Sequence, residues 1–363
     1  MAEPLKNQFD ADVVELLAER FRATSQDFDS PRFTAILLES FPRLELKQRI
    51  NLVADTIAQL LATDYPEMLE IVAGVARTGV DGFAAWPLCS FVERHGVDHP
   101  ELSLVAMETL TVRWSCEFAI RPFLDDHLEL TRTFLRRWVH DDHEAIRRLA
   151  SEGTRPRLPW GPKVQALLDD PEIGIELLEE LRNDVSETVR RSVANHLNDL
   201  SRSDPDRTVE VLRAWADDPV IDRAMIRHAL RTLVKTGRPD ALDLLGFTTD
   251  AQIRVDDLEV KPAEISLGSV IELSAEVNST ADTDQLLVVD FVIHHVNATG
   301  ATSPKVFKWT TLSLGPDESA TLTKTRRIQT ASTRRYHAGT HRIDLQVAGR
   351  VVASTSFDLR DSS

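Results

Sequence analysis

Three segments decide the fold: WVHDDHEAIRRLA (138–150), LRNDVSETVRRSVA (181–194) and WADDPVIDRAMIRHAL (215–230). Each begins with an acidic turn and continues into a stretch in which an apolar residue precedes a basic pair or an Arg-His. Ile146, Val189 and Ile226 hold the same place in the three, 43 and 37 residues apart. That spacing suits helical pairs of the HEAT type, whose repeats run about 40–47 residues. Such pairs stack into a solenoid with a concave binding face. Helical spacing also runs back toward the N-terminus. Phe9, Val13, Leu16, Leu17 and Phe21 follow Asp10, a residue suited to an N-cap, and Leu46, Ile50, Val53, Ile57 and Leu61 repeat the pattern. Pro66, Pro87, Pro100, Pro122, Pro171 and Pro205 punctuate short helices. Residues 1–247 are therefore expected to form an all-α HEAT-like repeat solenoid.

After Phe247 the period changes from helical to two. Ile271, Leu273, Ala275 and Val277 alternate with polar neighbours, as do Leu287, Val289, Phe291 and Ile293. Ile343, Leu345 and Val347 continue the pattern, followed by Thr355, Phe357 and Leu359. About seven short strands separated by glycine-bearing turns predict an all-β immunoglobulin-like sandwich over 257–363, joined by a linker at 248–256. The Cys-Trp-Cys hallmark of antibody domains is missing, so only the architecture is implied.

The chain has 363 residues and a formal net charge of −16. This argues against a general nucleic-acid coat, because non-specific DNA affinity comes mainly from neutralising phosphates. The charge is nevertheless segregated: residues 113–163 hold ten Lys or Arg against eight Asp or Glu. Cys89 and Cys116 match neither metal-ligand spacing nor a disulfide framework. The sequence shows no apolar run of membrane length and no signal-peptide pattern at MAEPLKNQFD. The expectation is a cytoplasmic protein with no metal, no cofactor and no membrane partner.

The densest chemistry lies in RRLASEGTRPRLPW, Arg147–Trp160. Arg147, Arg148, Arg155 and Arg157, all candidate phosphate contacts, surround one carboxylate, Glu152, and two prolines fix the backbone before Trp160. Glu152 is expected near a helix C-terminus ended by Gly153 and Pro156. There it opposes the helix dipole, with Arg148 one turn back as an i,i+4 partner. A second group is RRSVANHLND, 190–199, where Arg190, Arg191, Asn195 and His196 are candidate phosphate or sugar contacts, or structural side chains of a repeat helix. A third is TVRWSCEFAIRPF, 111–123, where Arg113, Glu117 and Arg121 fall at helical spacing; Arg113 and Arg121 are candidate DNA contacts, and Glu117 could orient an arginine or another carboxylate. Arg334 and Arg335, in the β region, are either a second DNA contact or a solvated basic turn. No GxGxxG, Walker A, HExxH or GxSxG motif is present.

RRLASEGTRPRLPW, VRRSVANHLNDLS, WPLCSFVERHG and EFAIRPF resemble the AlkC branch of the AlkC/AlkD alkylpurine DNA glycosylases. The likeness runs in order from Glu3 to about Trp215, and the β region is similar to the immunoglobulin-like extension of some AlkC proteins. The resemblance implies a bacterial cytosolic repair enzyme, monomeric and without a cofactor, that wraps alkylated double-stranded DNA. The implied reaction is monofunctional hydrolysis of the N-glycosidic bond of 3-methyladenine and 3-methylcytosine, without base flipping. It places the catalytic carboxylate at Glu152, the sugar-facing aromatic at Trp160, and further acidic positions at Glu117 and Asp199. Relatives that bind branched DNA without excising a base leave a non-catalytic DNA-binding protein as the alternative.

Overall fold

The computed structural model describes residues 5–329 and 335–360. The helices are α1 (Ala11–Thr24), α2 (Ser30–Ser40), α3 (Leu46–Leu61), α4 (Tyr65–Arg77), α5 (Trp86–His95) and α6 (Pro100–Thr111). They continue as α7 (Arg121–Asp126), α8 (Leu128–Trp138), α9 (Glu144–Gly153), α10 (Gln165–Asp169) and α11 (Glu172–Leu181). Then come α12 (Glu187–Leu200), α13 (Pro205–Ala216), α14 (Arg223–Ala229), α15 (Arg231–Lys235) and α16 (Pro239–Leu244). The strands are β1 (Ile253–Lys261), β2 (Glu264–Ile265), β3 (Val270–Ser279) and β4 (Gln285–Val296), followed by β5 (Thr302–Leu314), β6 (Ser319–Arg327), β7 (Gly339–Val347) and β8 (Arg350–Leu359). Two compact units result: residues 1–204 with 220–229, and residues 205–219 with 230–363. Among the described residues no helix is long and apolar enough to cross a membrane.

In the first unit, helix starts follow local chemistry. The side chains of Asp10, Asp29 and Asp64 each accept a backbone N–H in the first turn of α1, α2 and α4, satisfying donors that a helix leaves open. The repeated segments in this unit each span the end of one helix, a turn and the start of the next, α8 into α9 and α11 into α12; the third segment runs in sequence from α13, of the second unit, into α14. Ile146, Val189 and Ile226 are all buried, as their shared place requires.

The first arginine of the basic pair has a role the sequence does not announce. Arg147 donates to the carbonyls of Asp141 and Asp142 in its own turn and to the carboxylate of Asp184 in the next, at 2.6 and 3.0 Å. Arg190 donates likewise to the carbonyls of Asp184 and Val185 and lies 3.5 Å from Asp222. Each of these arginines therefore ties its own turn to the acid of the following one. Arg147 and Arg190, expected to hold DNA phosphates, are engaged inside the helical unit instead, since a guanidinium can satisfy a buried carboxylate and turn carbonyls together.

In the second unit, the strands form a three-stranded sheet, β1-β3-β6, and a five-stranded sheet, β2-β8-β7-β4-β5. Inward residues of both join one core containing Ile271, Leu273, Leu287, Phe291, Ile343 and Phe357. The alternation read from the sequence is the alternation of burial. Strand β4 is an exception, because Val288, Asp290 and Val292 on its other face are also buried. Val288 packs with Leu242, Ala348, Val234 and Phe247, which brings α15 and α16 into the same compact unit as the strands. Strand β1 begins at Ile253, within the stretch 248–256 read as a linker.

Candidate active site

Helix α9 stops at Gly153, with Thr154 as its C-cap. Gly153 is required by proximity: a Cβ there would lie 2.7 Å from Ile120 Cγ2. Glu152 is therefore presented from the last turn, and it is only 5% exposed. A carboxylate at that depth and at that end of a helix demands partners. Arg155 Nη1 donates to Glu152 Oε1 at 2.6 Å, Ser192 Oγ to Oε2 at 2.6 Å, and Arg148 Nη2 lies 3.7 Å from Oε1. The hydroxyls of Ser151 and Ser192 are themselves 2.7 Å apart. Burial pushes the Glu152 carboxyl up, but Arg148, Arg155 and the Ser192 hydrogen bond outweigh it and hold it below the ordinary carboxylate range.

The same arginines carry the network outward. Arg155 Nε donates to Asp199 Oδ2 at 2.8 Å, and burial raises the Asp199 carboxyl against that pairing. Arg148 donates to Ser115 Oγ at 3.0 Å and to Glu117 Oε2 at 3.1 Å. Glu117, Glu152 and Asp199 come from three separate stretches of chain. Two guanidiniums, those of Arg148 and Arg155, link them. Glu117, Arg148 and Ser115 also line an open cleft of about 400 Å³ with Trp114, Phe118 and Arg113. Trp114 stacks on Trp86 at 5.5 Å, and Phe123 is fully buried, so these rings are core with one partly open edge.

Beyond α9 the chain turns sharply. Gly161 N–H donates to Leu158 O at 3.1 Å, placing Pro159 and Trp160 in the middle of the turn. Trp160 has φ +65°, in the left-handed region that costs a bulky residue on the order of 1–3 kcal/mol. Its side chain is 63% exposed.

Two families match separate parts of this chain. The family described as DNA alkylation repair enzyme matches residues 107–233, which contain all three carboxylates. The family described as uncharacterised protein YhaZ, C-terminal Ig-like domain, matches residues 254–361. The uncharacterized protein YhaZ of Bacillus subtilis (strain 168) is 35% identical over 356 residues, 98% of this chain and 99% of that protein. Pseudomonas fluorescens alkylpurine DNA glycosylase AlkC, in a structure bound to DNA containing an abasic site analog, matches with a TM-score of 0.93. The identity is 35% over 99% of this chain and 100% of that one. This chain belongs to the AlkC branch of the DNA alkylation repair enzymes. Its fold is the AlkC fold, helices followed by an Ig-like domain.

Within this AlkC-branch chain, several arginines expected at DNA have other duties. Arg155 is buried between Glu152 and Asp199. Arg121 is fully buried and donates to the carbonyls of Gly153, Arg155 and Pro162 at 2.9, 3.0 and 2.6 Å. It forms no i,i+4 pair with Glu117, because α6 has ended at Thr111 and α7 starts only at Arg121. Burial brings the Arg121 guanidinium down to about 10, so it stays charged at neutral pH. His196 is also core: its Nδ1 lies 3.1 Å from Ser151 O, and burial lowers it to about 4, so it is neutral and no phosphate ligand. Asn195 bonds to His228 at 2.9 Å. Arg191 is exposed and pairs with Glu187 across one turn, Arg113 pairs with Asp81 at 3.2 Å, and Arg157 is half-buried. Arg335 is exposed, while Arg334 lies outside the described residues.

Sequence reasoning missed Ser192, Ser115 and Lys47. Ser192 has one weak signal, a small hydroxyl residue on the buried face of a repeat helix. Lys47, whose Nζ donates to Trp160 O at 2.9 Å, is 113 residues away in the chain and has none. Among the described residues no cluster of three or more His, Cys, Asp or Glu is arranged to hold a metal.

Proposed function

We propose that this protein is a monofunctional DNA glycosylase that hydrolyses the N-glycosidic bond of cationic N3-methylated bases, 3-methyladenine and 3-methylcytosine, in duplex DNA without flipping the base. The observation that carries the reading is the buried, ionised Glu152, gripped by fixed donors at a helix end. A base methylated at N3 already bears positive charge and leaves as a neutral molecule, so no general acid has to protonate it. The sugar becomes oxocarbenium-like, and water adds at C1′ with loss of a proton to solvent. A carboxylate held below its ordinary pKa is a weak proton acceptor but a firm negative charge, so Glu152 acts chiefly by electrostatics. A unit charge about 4 Å from the developing cation is worth about 4 kcal/mol at an effective dielectric of 20, close to a thousandfold in rate.

Trp160 lays its face against the deoxyribose, adding roughly 0.5–2 kcal/mol of cation–π attraction. Arg191, Arg113 and Arg157 hold phosphates and set register, and Arg335 adds a contact from the β unit. The protein acts as a monomer in the cytosol.

The test is single-turnover release of 3-methyladenine and 3-methylcytosine from methylated duplexes by wild type, Glu152→Gln and Trp160→Ala. Release by wild type with a large loss in Glu152→Gln is expected. No release by a wild type that still binds branched DNA would establish the non-catalytic alternative.

A further inference from the structure

We infer that Lys47 is a positioning residue for Trp160, holding the indole out from a backbone conformation the turn would not keep by itself. The inference rests on the reading that Trp160 meets the sugar, and it concerns how that ring is fixed in place.

Trp160 occupies the third position of its turn, where a positive φ ordinarily calls for glycine or asparagine. A tryptophan there is strained, and such strain persists only where surrounding contacts over-determine the backbone. The surroundings supply those contacts. Pro159 fixes the torsion before it. Arg121 grips the carbonyl of Pro162, two residues on, together with those of Gly153 and Arg155 at the loop's start. Gly161 fits closely, since a Cβ there would stand 3.1 Å from Leu158 Cδ2 and 3.3 Å from Arg121 Cδ. The carbonyl of Trp160 itself is held by Lys47 Nζ at 2.9 Å. Relaxing φ to a negative value would displace the frame in which that carbonyl sits. The Lys47 ammonium is fixed in turn, 4.6 Å over the Phe118 ring, at the first turn of α3. The lysine therefore joins α3 to the turn through main chain, leaving the indole free to meet a ligand.

Two measurements on the full chain test this. The first is single-turnover excision of 3-methyladenine, with affinity for a duplex carrying an abasic-site analogue, for Lys47→Met, Lys47→Arg, Trp160→Ala and Lys47→Met/Trp160→Ala. A charge-assisted hydrogen bond lost in Lys47→Met should slow excision about tenfold or more with affinity changed less than about twofold. Lys47→Arg should recover most of the rate, and Lys47→Met should add nothing in the Trp160→Ala background, because coupled residues share one effect. A full further loss in the double variant, or weakened affinity with a shallower salt dependence, overturns the inference in favour of a direct phosphate contact. The second is fluorine NMR of protein labelled with 5-fluorotryptophan, which has six tryptophans. The Trp160 resonance, assigned by Trp160→Phe, should move or broaden in Lys47→Met while the others stay. An unmoved resonance overturns the inference whether or not any base is released. No release by wild type together with a moved resonance would instead refute the glycosylase reading and leave the positioning role standing.

Discussion

Arg147 on α9 and Arg190 on α12 occupy equivalent places in two repeats, and both bind the carbonyls of their own turn and the acid of the next. One residue later the repeats part. Arg148 turns inward to Ser115, Glu117 and Glu152, whereas Arg191 stays in solvent against Glu187. Another turn on, α9 carries the buried carboxylate of Glu152, and α12 carries Asn195, bonded to His228. The scaffold is repeated, and at this one position the copy followed by the turn that exposes Trp160 carries a carboxylate where α12 carries an amide, while α12 lends Ser192 and Asp199 to the same cluster.

The largest effect should separate those two positions. Glu152→Gln is expected to slow excision about a thousandfold, while Asn195→Ala stays within a few-fold, both measured in single turnover with folding checked by circular dichroism. Equal losses would break the comparison. Next, Arg147→Ala removes both guanidinium hydrogen bonds from Asp184, whose side chain is 4% exposed, and should cost about 3 kcal/mol in urea unfolding. Arg190→Ala, with a longer contact to a more exposed acid, should cost about 1 kcal/mol. The reverse order would show that the two links are not versions of one device.

A third effect appears with pH. His196 has a folded-state pKa near 4 against about 6.5 unfolded. Between these values the unfolded chain binds the extra proton, so stability falls as pH drops. Wild type should lose about 2 kcal/mol more than His196→Asn between pH 7 and 5, read from thermal or urea unfolding at each pH. A parallel loss in both proteins would remove His196 from the core charge balance. The smallest effect is at Arg191. Arg191→Ala should weaken duplex affinity a few-fold and reduce the salt slope by about one, and an unchanged slope would take Arg191 off the DNA.

Periodicity carried the architecture well. Ile146, Val189 and Ile226 located the helical pairs because burial repeats with the helix, and Ile271–Val277 located a strand because burial alternates along it. Those regularities are local, so sequence displays them. The destination of each arginine is not local. Arg147, Arg155 and Arg121 look alike in a string, but what each meets depends on chain 32 to 44 residues away. Density of positive charge was therefore read as affinity for phosphate, although much of it neutralises carboxylates and carbonyls inside the protein. Glu152 was legible because it stands alone among arginines. Ser192 was not, since one serine in a helix says little. The doubly covered strand β4 left a trace in its unbroken LLVVDFVI run, yet which helices cover it is again a matter of distant chain.

Arg121 reads only main chain. Each of its described hydrogen bonds goes to a carbonyl oxygen, of Gly153, Arg155 or Pro162, and no side chain of the loop takes part in the grip. The shape of the loop and its side-chain content are thus separable. Exposed loop positions can be exchanged while the clamp keeps its hold.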